Sequence, residues 1–217
     1  MGVFSTMLDL LFPPRCVFCR SFVKSHAAPF CEKCRTSLPY TSGGGAQKGD
    51  FFSVCVSPLY YEGDVRESML RYKFKGATGY AKVYGGLLAD CIRENLTGRY
   101  DLISWVPLSR GRLKERGYDQ SMLLAMAAAL ELEDVAVSAL EKTVEATRQS
   151  MAGSAEKRRA NISGAYHAVD TELIADKRIL LIDDIVTTGA TLSECARTLH
   201  AAGAREVVCA AVCRARD

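Results

Sequence analysis

The chain has 217 residues, 48% of them hydrophobic, and a formal net charge of +3. That length suits one medium domain with a small appendage, and that composition can fill a globular core. The charge is too small to mark a nucleic-acid protein by itself, and no apolar run reaches the roughly 18 residues of a transmembrane helix, so no membrane insertion is expected.

Met1 to Phe12 is apolar, lacks a basic start and soon meets Pro13, Pro14 and Arg15. It reads as a packing segment rather than a signal peptide. Two cysteine pairs follow, Cys16-Val-Phe-Cys19 and Cys31-Glu-Lys-Cys34. Paired knuckles of this spacing bring four thiolates into the tetrahedron that a single closed, structural Zn²⁺ prefers. Two disulfides compete with that reading, and His26 in the intervening loop is taken as exposed. The remaining cysteines, Cys55, Cys91, Cys195, Cys209 and Cys213, lie scattered in apolar segments and read as reduced core residues. The odd total of nine fits a reducing compartment, hence a cytoplasmic protein.

Thr41 to Gly49 is polar and glycine-rich, a linker that divides a metal module (1–45) from the main domain (46–217). A strand is expected over Val54 to Tyr61. Helices are expected over Asp64 to Arg71 and Tyr80 to Asn95, where Val83, Leu87, Leu88, Cys91 and Ile92 recur at helical spacing. Between the helices, the basic run Arg71-Tyr-Lys-Phe-Lys-Gly76 is either solvated or turned toward an anion, and the solvated reading is preferred.

Asp101 to Leu108 reads as a second strand. It leads into a cationic stretch, Ser109 to Tyr118, carrying Arg110, Arg112, Lys114 and Arg116; Asp119 then caps a helix. Four cations at the carboxyl end of a strand make a local positive field at the edge where open parallel sheets bind ligands. Thr143 to Gly164 is too polar for core. It is either a lid, with Arg148, Arg158 and Arg159 facing a charged substrate, or a surface loop with a short helix.

The run Ile179-Leu-Leu-Ile182 suits a strand covered on both faces. Asp183 and Asp184 follow, then Thr187, Thr188, Gly189, Ala190 and Thr191. Leu192, Cys195, Ala196 and Leu199 mark one face of a helix that Gly203 is placed to end. Free N–H groups and the positive end of a helix dipole, with a permissive glycine and hydroxyls nearby, form a cup for a phosphate. Two carboxylates would repel that phosphate but suit neutral hydroxyls. A phosphate site beside a diol site describes a ribose 5-phosphate. Val207 to Cys213 reads as a last, buried strand.

Leu-Leu-Ile-Asp-Asp-Ile-Val-Thr-Thr-Gly-Ala-Thr resembles the phosphoribosyl pyrophosphate (PRPP) signature of type I phosphoribosyltransferases. The wider order resembles the ComF family: a four-cysteine knuckle, Lys-Phe-Lys-Gly, Val-Pro-Leu-Ser-Arg with Glu-Arg-Gly-Tyr, Gln149, Arg158-Arg-Ala-Asn161, then the PRPP motif. The resemblance implies an α/β fold of the type I phosphoribosyltransferase kind, an open and mostly parallel sheet flanked by helices, with a small N-terminal zinc-ribbon-like module. It implies PRPP with its ribose hydroxyls on Asp183 and Asp184, as the catalytic pair, and its 5-phosphate on Thr187 to Thr191. Pyrophosphate would lie on Arg110, Arg112 and Arg116, with Mg²⁺ bridging the phosphates. It also implies a role in natural competence, with a ComFA-type helicase and single-stranded DNA as partners. The acceptor is not legible, since no aromatic pocket for a base can be named. The family commonly has Asn where this chain has Asp119. A non-catalytic adaptor that binds single-stranded DNA and the helicase is the alternative, weakened by the lack of aromatics interleaved with the arginines.

Overall fold

The computed structural model describes residues 13–25, 29–143 and 164–216; Met1 to Phe12, His26, Gln149, Asn161 and the candidate lid residues Arg148, Arg158 and Arg159 lie outside these. Among the described residues the first elements are a short helix, α1 (Glu32–Ser37), a 3-10 turn (Gly43–Gly45) and strands β1 (Cys55–Val56) and β2 (Leu59–Tyr60). The single strand expected over Val54 to Tyr61 is therefore two. Ser57 and Pro58 interrupt it, because proline has no N–H for the ladder. Register survives the break: Cys55 pairs with Cys209 and Leu59 with Cys213.

Helices α2 (Gly63–Phe74) and α3 (Tyr80–Leu96) follow, then β3 (Leu102–Trp105). The cationic stretch expected as a loop is a short helix, α4 (Arg110–Arg116). Ser109 caps it by accepting from the Arg112 N–H, and Gly117 ends it in the left-handed conformation. Asp119 caps α5 (Gln120–Glu131) as expected, and its second oxygen accepts from the Leu108 N–H at 2.9 Å. A hairpin, β4 (Leu140–Lys142) with β5 (Tyr166–Ala168), precedes the short α6 (Thr171–Ile174). The chain then runs β6 (Arg178–Val186), α7 (Ala190–Ala201) and β7 (Glu206–Arg214).

The main sheet is parallel throughout, in the order β1–β7–β6–β3, with β2 also on β7. Its two central strands are apolar on both faces, as a sheet covered on both sides requires. Leu180, Ile182, Val208 and Ala210 pack with Val65, Leu88 and Leu124 of α2, α3 and α5. Ile179, Leu181, Val207 and Cys209 pack with Leu192, Cys195 and Leu199 of α7 and with Leu140 and Tyr166 of the hairpin. The five scattered cysteines are all buried and free.

The glycine-rich stretch is not a loose linker. Gln47 and Cys55 exchange backbone hydrogen bonds of 3.0 and 2.8 Å, and the Ser57 N–H donates to Gly44 O at 2.7 Å. A Cβ on Gly45 would lie 2.8 Å from Ser57 O, so glycine is what lets this ledge close on β1. The cysteine module is docked as firmly. Ser68 Oγ donates to Val17 O at 2.7 Å, and Arg71 Nη2 donates to Val17 O and Phe18 O at 3.0 and 2.5 Å.

Gly85 of α3 faces α5, where an added Cβ would sit 2.5 Å from Ala127 Cβ; next to it, a Cβ on Gly86 would meet nothing within 4 Å. Gly85→Ala should therefore destabilise by about 1–3 kcal/mol through overpacking. Gly86→Ala should stabilise by roughly 0.5–1 kcal/mol by relieving a helix-interior glycine. Urea midpoints of the two variants, with unchanged slopes, check the opposite signs.

Candidate functional site

The strand expected to stop at Ile182 continues through the acidic pair to Val186, because β7 runs alongside it: Ile185 pairs with Cys213 and Val186 with Arg214. Successive side chains of a strand point to opposite faces, so the adjacent carboxylates part. Asp183 lines a hollow of about 80 Å³ together with Thr187, Thr188, Gly189, Ala190 and Thr191. Asp184 turns inward, 3% exposed, and its Oδ1 meets Lys73 Nζ at 2.9 Å. Its Oδ2 is buried with no partner among the described residues. In this conformation only one of the two expected hydroxyl-binding carboxylates faces the hollow.

The floor of the hollow is the start of α7. Gly189 holds φ +72° at the N-cap, and no side chain caps the helix. Apart from the Ala190 N–H, which donates to Thr188 Oγ1 at 3.4 Å, the N–H groups of its first turn have no side-chain cap and can receive an anion. A Cβ at Gly189 would stand 3.2 Å from the Phe52 ring, so the turn is fixed by both backbone sign and a wall behind it. Thr187 and Thr188 stand exposed at the rim. Ser121, in the first turn of α5, donates to Asp183 Oδ1 at 3.0 Å, and the Asp184 N–H donates to the same oxygen at 2.8 Å. Burial, and then the charge of Asp184, push the Asp183 carboxyl up to about 7, against the opposing pull of Lys73.

The arginines do not converge on one point. At about 100° per residue Arg112 and Arg116 share one face of α4, roughly 40° apart, while Arg110 lies well round the axis from both. Arg110 is exposed and pairs with Glu141 at 3.2 Å. Arg112 is half-buried and within electrostatic reach of Lys142 and Tyr166. Arg116 lies over the Phe74 ring at 5.1 Å and donates to Gln120 Oε1. The basic run after Arg71 is likewise not solvated as expected: Lys73 serves Asp184 and Arg71 serves the metal module.

The sequence alone does not assign three site neighbours to the site. Lys73 stands out only as part of the Lys-Phe-Lys-Gly motif and of a basic run that reads as solvated. Ser121 is one small residue in an alanine-rich helix. Lys142 donates to Tyr166 Oη at 2.9 Å, and burial pushes its ammonium pKa down. Tyr166 in turn lies close to Cys195 of α7, which ties the hairpin to the helix of the phosphate cup.

The cysteine cluster fits a closed metal centre. The four Sγ atoms of Cys16, Cys19, Cys31 and Cys34 lie within 4.8 Å of one another, with Cys19 and Cys31 at 3.5 Å. A Zn–S bond of about 2.3 Å makes a tetrahedron edge of about 3.8 Å, which this spacing accommodates. All four thiols are free rather than disulfide-bonded.

A parallel sheet ending in a hollow at a helix start and an acidic pair, with a four-cysteine knuckle in the same chain, defines a protein of the type I phosphoribosyltransferase fold with an N-terminal zinc ribbon. Comparison with known proteins agrees. The phosphoribosyl transferase domain family matches residues 119–217, and the double zinc ribbon domain family matches residues 7–45, with one four-cysteine cluster among the described residues. Competence protein F of Haemophilus influenzae is 27% identical over 214 residues, covering 89% of this chain and 93% of that protein. Competence protein ComFC of Streptococcus pneumoniae is 29% identical over 190 residues, covering 87% and 77%. The DNA utilization protein YhgH of Escherichia coli O157:H7 is 34% identical over 115 residues, 52% of this chain and 49% of that one. Glutamine PRPP amidotransferase of B. subtilis aligns with a TM-score of 0.46 at 20% identity, over 66% of this chain and only 30% of the enzyme. Similarity to two competence proteins at 27% and 29% identity, over 89% and 87% of this chain, together with the phosphoribosyl transferase domain, supports the ComF family. No helix among the described residues is long and apolar enough to cross a membrane.

Lys73→Met leaves Asp184 buried without its cation, and should cost about 3 kcal/mol in urea denaturation. Adding Asp184→Asn should recover much of that loss; no recovery would show that the pair is not the cause. Asp183 carries a folded-state pKa raised from its ordinary value of about 4 to about 7. The folded chain therefore binds the proton more tightly, and that stability fades as pH rises from about 4 to about 7. Asp183→Asn removes the titration, so the stability of the variant relative to wild type should rise across that window and then level off. Urea midpoints of both proteins at a series of pH values measure it.

Proposed function

We propose that the protein binds PRPP at this hollow and transfers its phosphoribosyl group to an acceptor in a Mg²⁺-dependent reaction. The observation that carries the reading is the cup itself: an uncapped helix start, a left-handed Gly189 and hydroxyls around a hollow that Asp183 closes. In this mode the α7 amides and Thr187, Thr188 and Thr191 hold the 5-phosphate. Asp183 accepts from a ribose hydroxyl. Asp184 backs it through the strand, its charge set by Lys73. Arg110, Arg112 and Arg116 attract the pyrophosphate, from the helix side rather than as one clamp.

The residues suit Mg²⁺. That ion prefers oxygen donors and few protein ligands, and Asp183 is the carboxylate on the hollow that would hold it, since Asp184 turns inward to Lys73. Its contribution when bound is to offset charge on the pyrophosphate. The chain itself contributes positioning. It holds C1 of the ribose in line while the bond to pyrophosphate breaks and the bond to the acceptor forms, with no covalent protein nucleophile. Asp119 caps α5 and braces Leu108. The Asn common in the family has one acceptor oxygen, so it could cap α5 or accept from the Leu108 N–H but not both, and Asp119 fixes this corner through two acceptors. The relatives' names speak of competence and DNA utilization; single-stranded DNA and a ComFA-type helicase as partners, and a cytoplasmic setting, are what the family resemblance implies, and in this reading the zinc module buttresses the domain rather than reacts.

Titrating the full, zinc-loaded chain with PRPP and Mg²⁺ in a calorimeter tests the reading. Saturable binding is expected, weakened roughly tenfold to a hundredfold by Gly189→Val and by Asp183→Ala as charge-assisted bonds are lost. No heat from the folded wild type would rule it out.

A further inference from the structure

We propose that residues 1–12 dock as an amphipathic helix in the groove between the cysteine module and α3, and so strap that module to the main domain.

The groove measures about 420 Å³ and shares no lining residue with the phosphate hollow. Val83 and Leu87 of α3 line one side, and Val23 and Phe30 of the cysteine module line the other. All four are half-buried: each has one side on the core and another left without a cover among the described residues. The lining follows α3 from Gly79 to Asp90, which at 1.5 Å per residue is about 17 Å.

Three observations name the occupant. The first is where the chain enters. Pro14 lines the groove, and the Val23 N–H fixes it there by donating to Pro14 O at 3.0 Å. The residues ahead of it therefore start from the groove's own edge. The second is pattern. At about 100° per residue, every apolar residue from Met1 to Phe12 falls in one arc of about 200°, and Gly2, Ser5, Thr6 and Asp9 fill the remaining arc. Pro13 and Pro14 would stop such a helix where the described chain begins. The third is length. Twelve residues of helix span about 18 Å, close to the run of α3 along the groove.

Charge separates this occupant from a lipid surface. Interfacial helices are rich in Lys and Arg on the polar face, and residues 1–12 contain neither. The groove carries both signs, Arg15 and Lys82 with Asp90 and Glu131, so burial of apolar surface drives the docking. Seated there, the segment bears on the module and on α3 at once. It adds a second tie to the hydrogen bonds that Ser68 and Arg71 make to Val17.

Hydrogen exchange of the full, zinc-loaded chain, read by mass spectrometry on the peptide covering residues 1–12, tests this. Its amides should exchange roughly tenfold or more slowly than in the isolated peptide. Phe4→Asp on the segment and Leu87→Asp on the groove should each abolish that protection while β6 and β7 keep theirs. Ser5→Asp, on the polar arc, should leave it intact. Leu87→Ser is the milder second variant, with the same reading where Leu87→Asp disturbs the fold. Exchange at the isolated-peptide rate in wild type overturns the proposal. Protection that survives both groove variants also overturns it, since the segment then packs elsewhere. Protection that appears only with phosphatidylcholine or phosphatidylglycerol vesicles overturns it in favour of a membrane contact. Protection that falls on dilution, alongside a dimer in sedimentation, overturns it in favour of a segment exchanged between two copies.

Discussion

A carboxylate sealed at the end of a buried strand cannot stay ionised without a cation, and Lys73 supplies one to Asp184 at 2.9 Å. That contact joins the two halves of the molecule. Lys73 belongs to α2, and α2 is held from its other side by the cysteine module, whose Val17 and Phe18 carbonyls take hydrogen bonds from Ser68 and Arg71. A continuous run of contacts therefore leads from the thiolate cluster through one helix to the acidic pair. Buried ion pairs seldom stabilise a fold beyond what an apolar pair would give. The role of this one is to fix where two charges sit, and which of them faces the ligand.

The same helix explains why a structural metal site should accompany this kind of pocket. Loops carry function when a rigid scaffold positions them. Here α2 is half scaffold and half site: its buried face, Val65 and Met69, packs on the sheet, while its last turn presents Lys73. A shift of the module along α2 would move that residue with it. A closed four-thiolate centre suits that duty, since it leaves no open coordination position and adds rigidity to a segment whose own described helix has six residues.

Much of this was legible in the residues. The unbroken apolar runs of β6 and β7 announce a doubly covered parallel sheet, the four cysteines announce a knuckle, and Gly189 among threonines announces an anion-binding turn. What stayed hidden has physical causes. α4 has no buried residue, so it shows no apolar period, and only its Ser109 cap and Gly117 stop hint at it. Thr41 to Gly49 has a linker's composition, but its glycines are there for close approach to β1, which composition cannot distinguish from looseness. Lys73 and Arg71 read as solvated because a basic run looks the same whether it faces water or a carboxylate on a strand more than a hundred residues away. The parting of Asp183 and Asp184 depends on whether the strand ends before them or runs through them, a matter of one or two residues that pattern reading resolves poorly.

The uneven preparation of the pocket bears on how a ligand would use it. At the end proposed for the 5-phosphate everything is preset: the helix start, the glycine and the wall of Phe52 are in place. At the end proposed for pyrophosphate little is preset, since Arg110 is engaged by Glu141, and Arg112 and Arg116, though on one face of α4, meet different neighbours. In the proposed reaction, phosphate and ribose are the parts that stay while pyrophosphate departs. Binding anchored at the retained end, with a loosely assembled grip on the leaving end, lets the donor be held firmly without holding back the product.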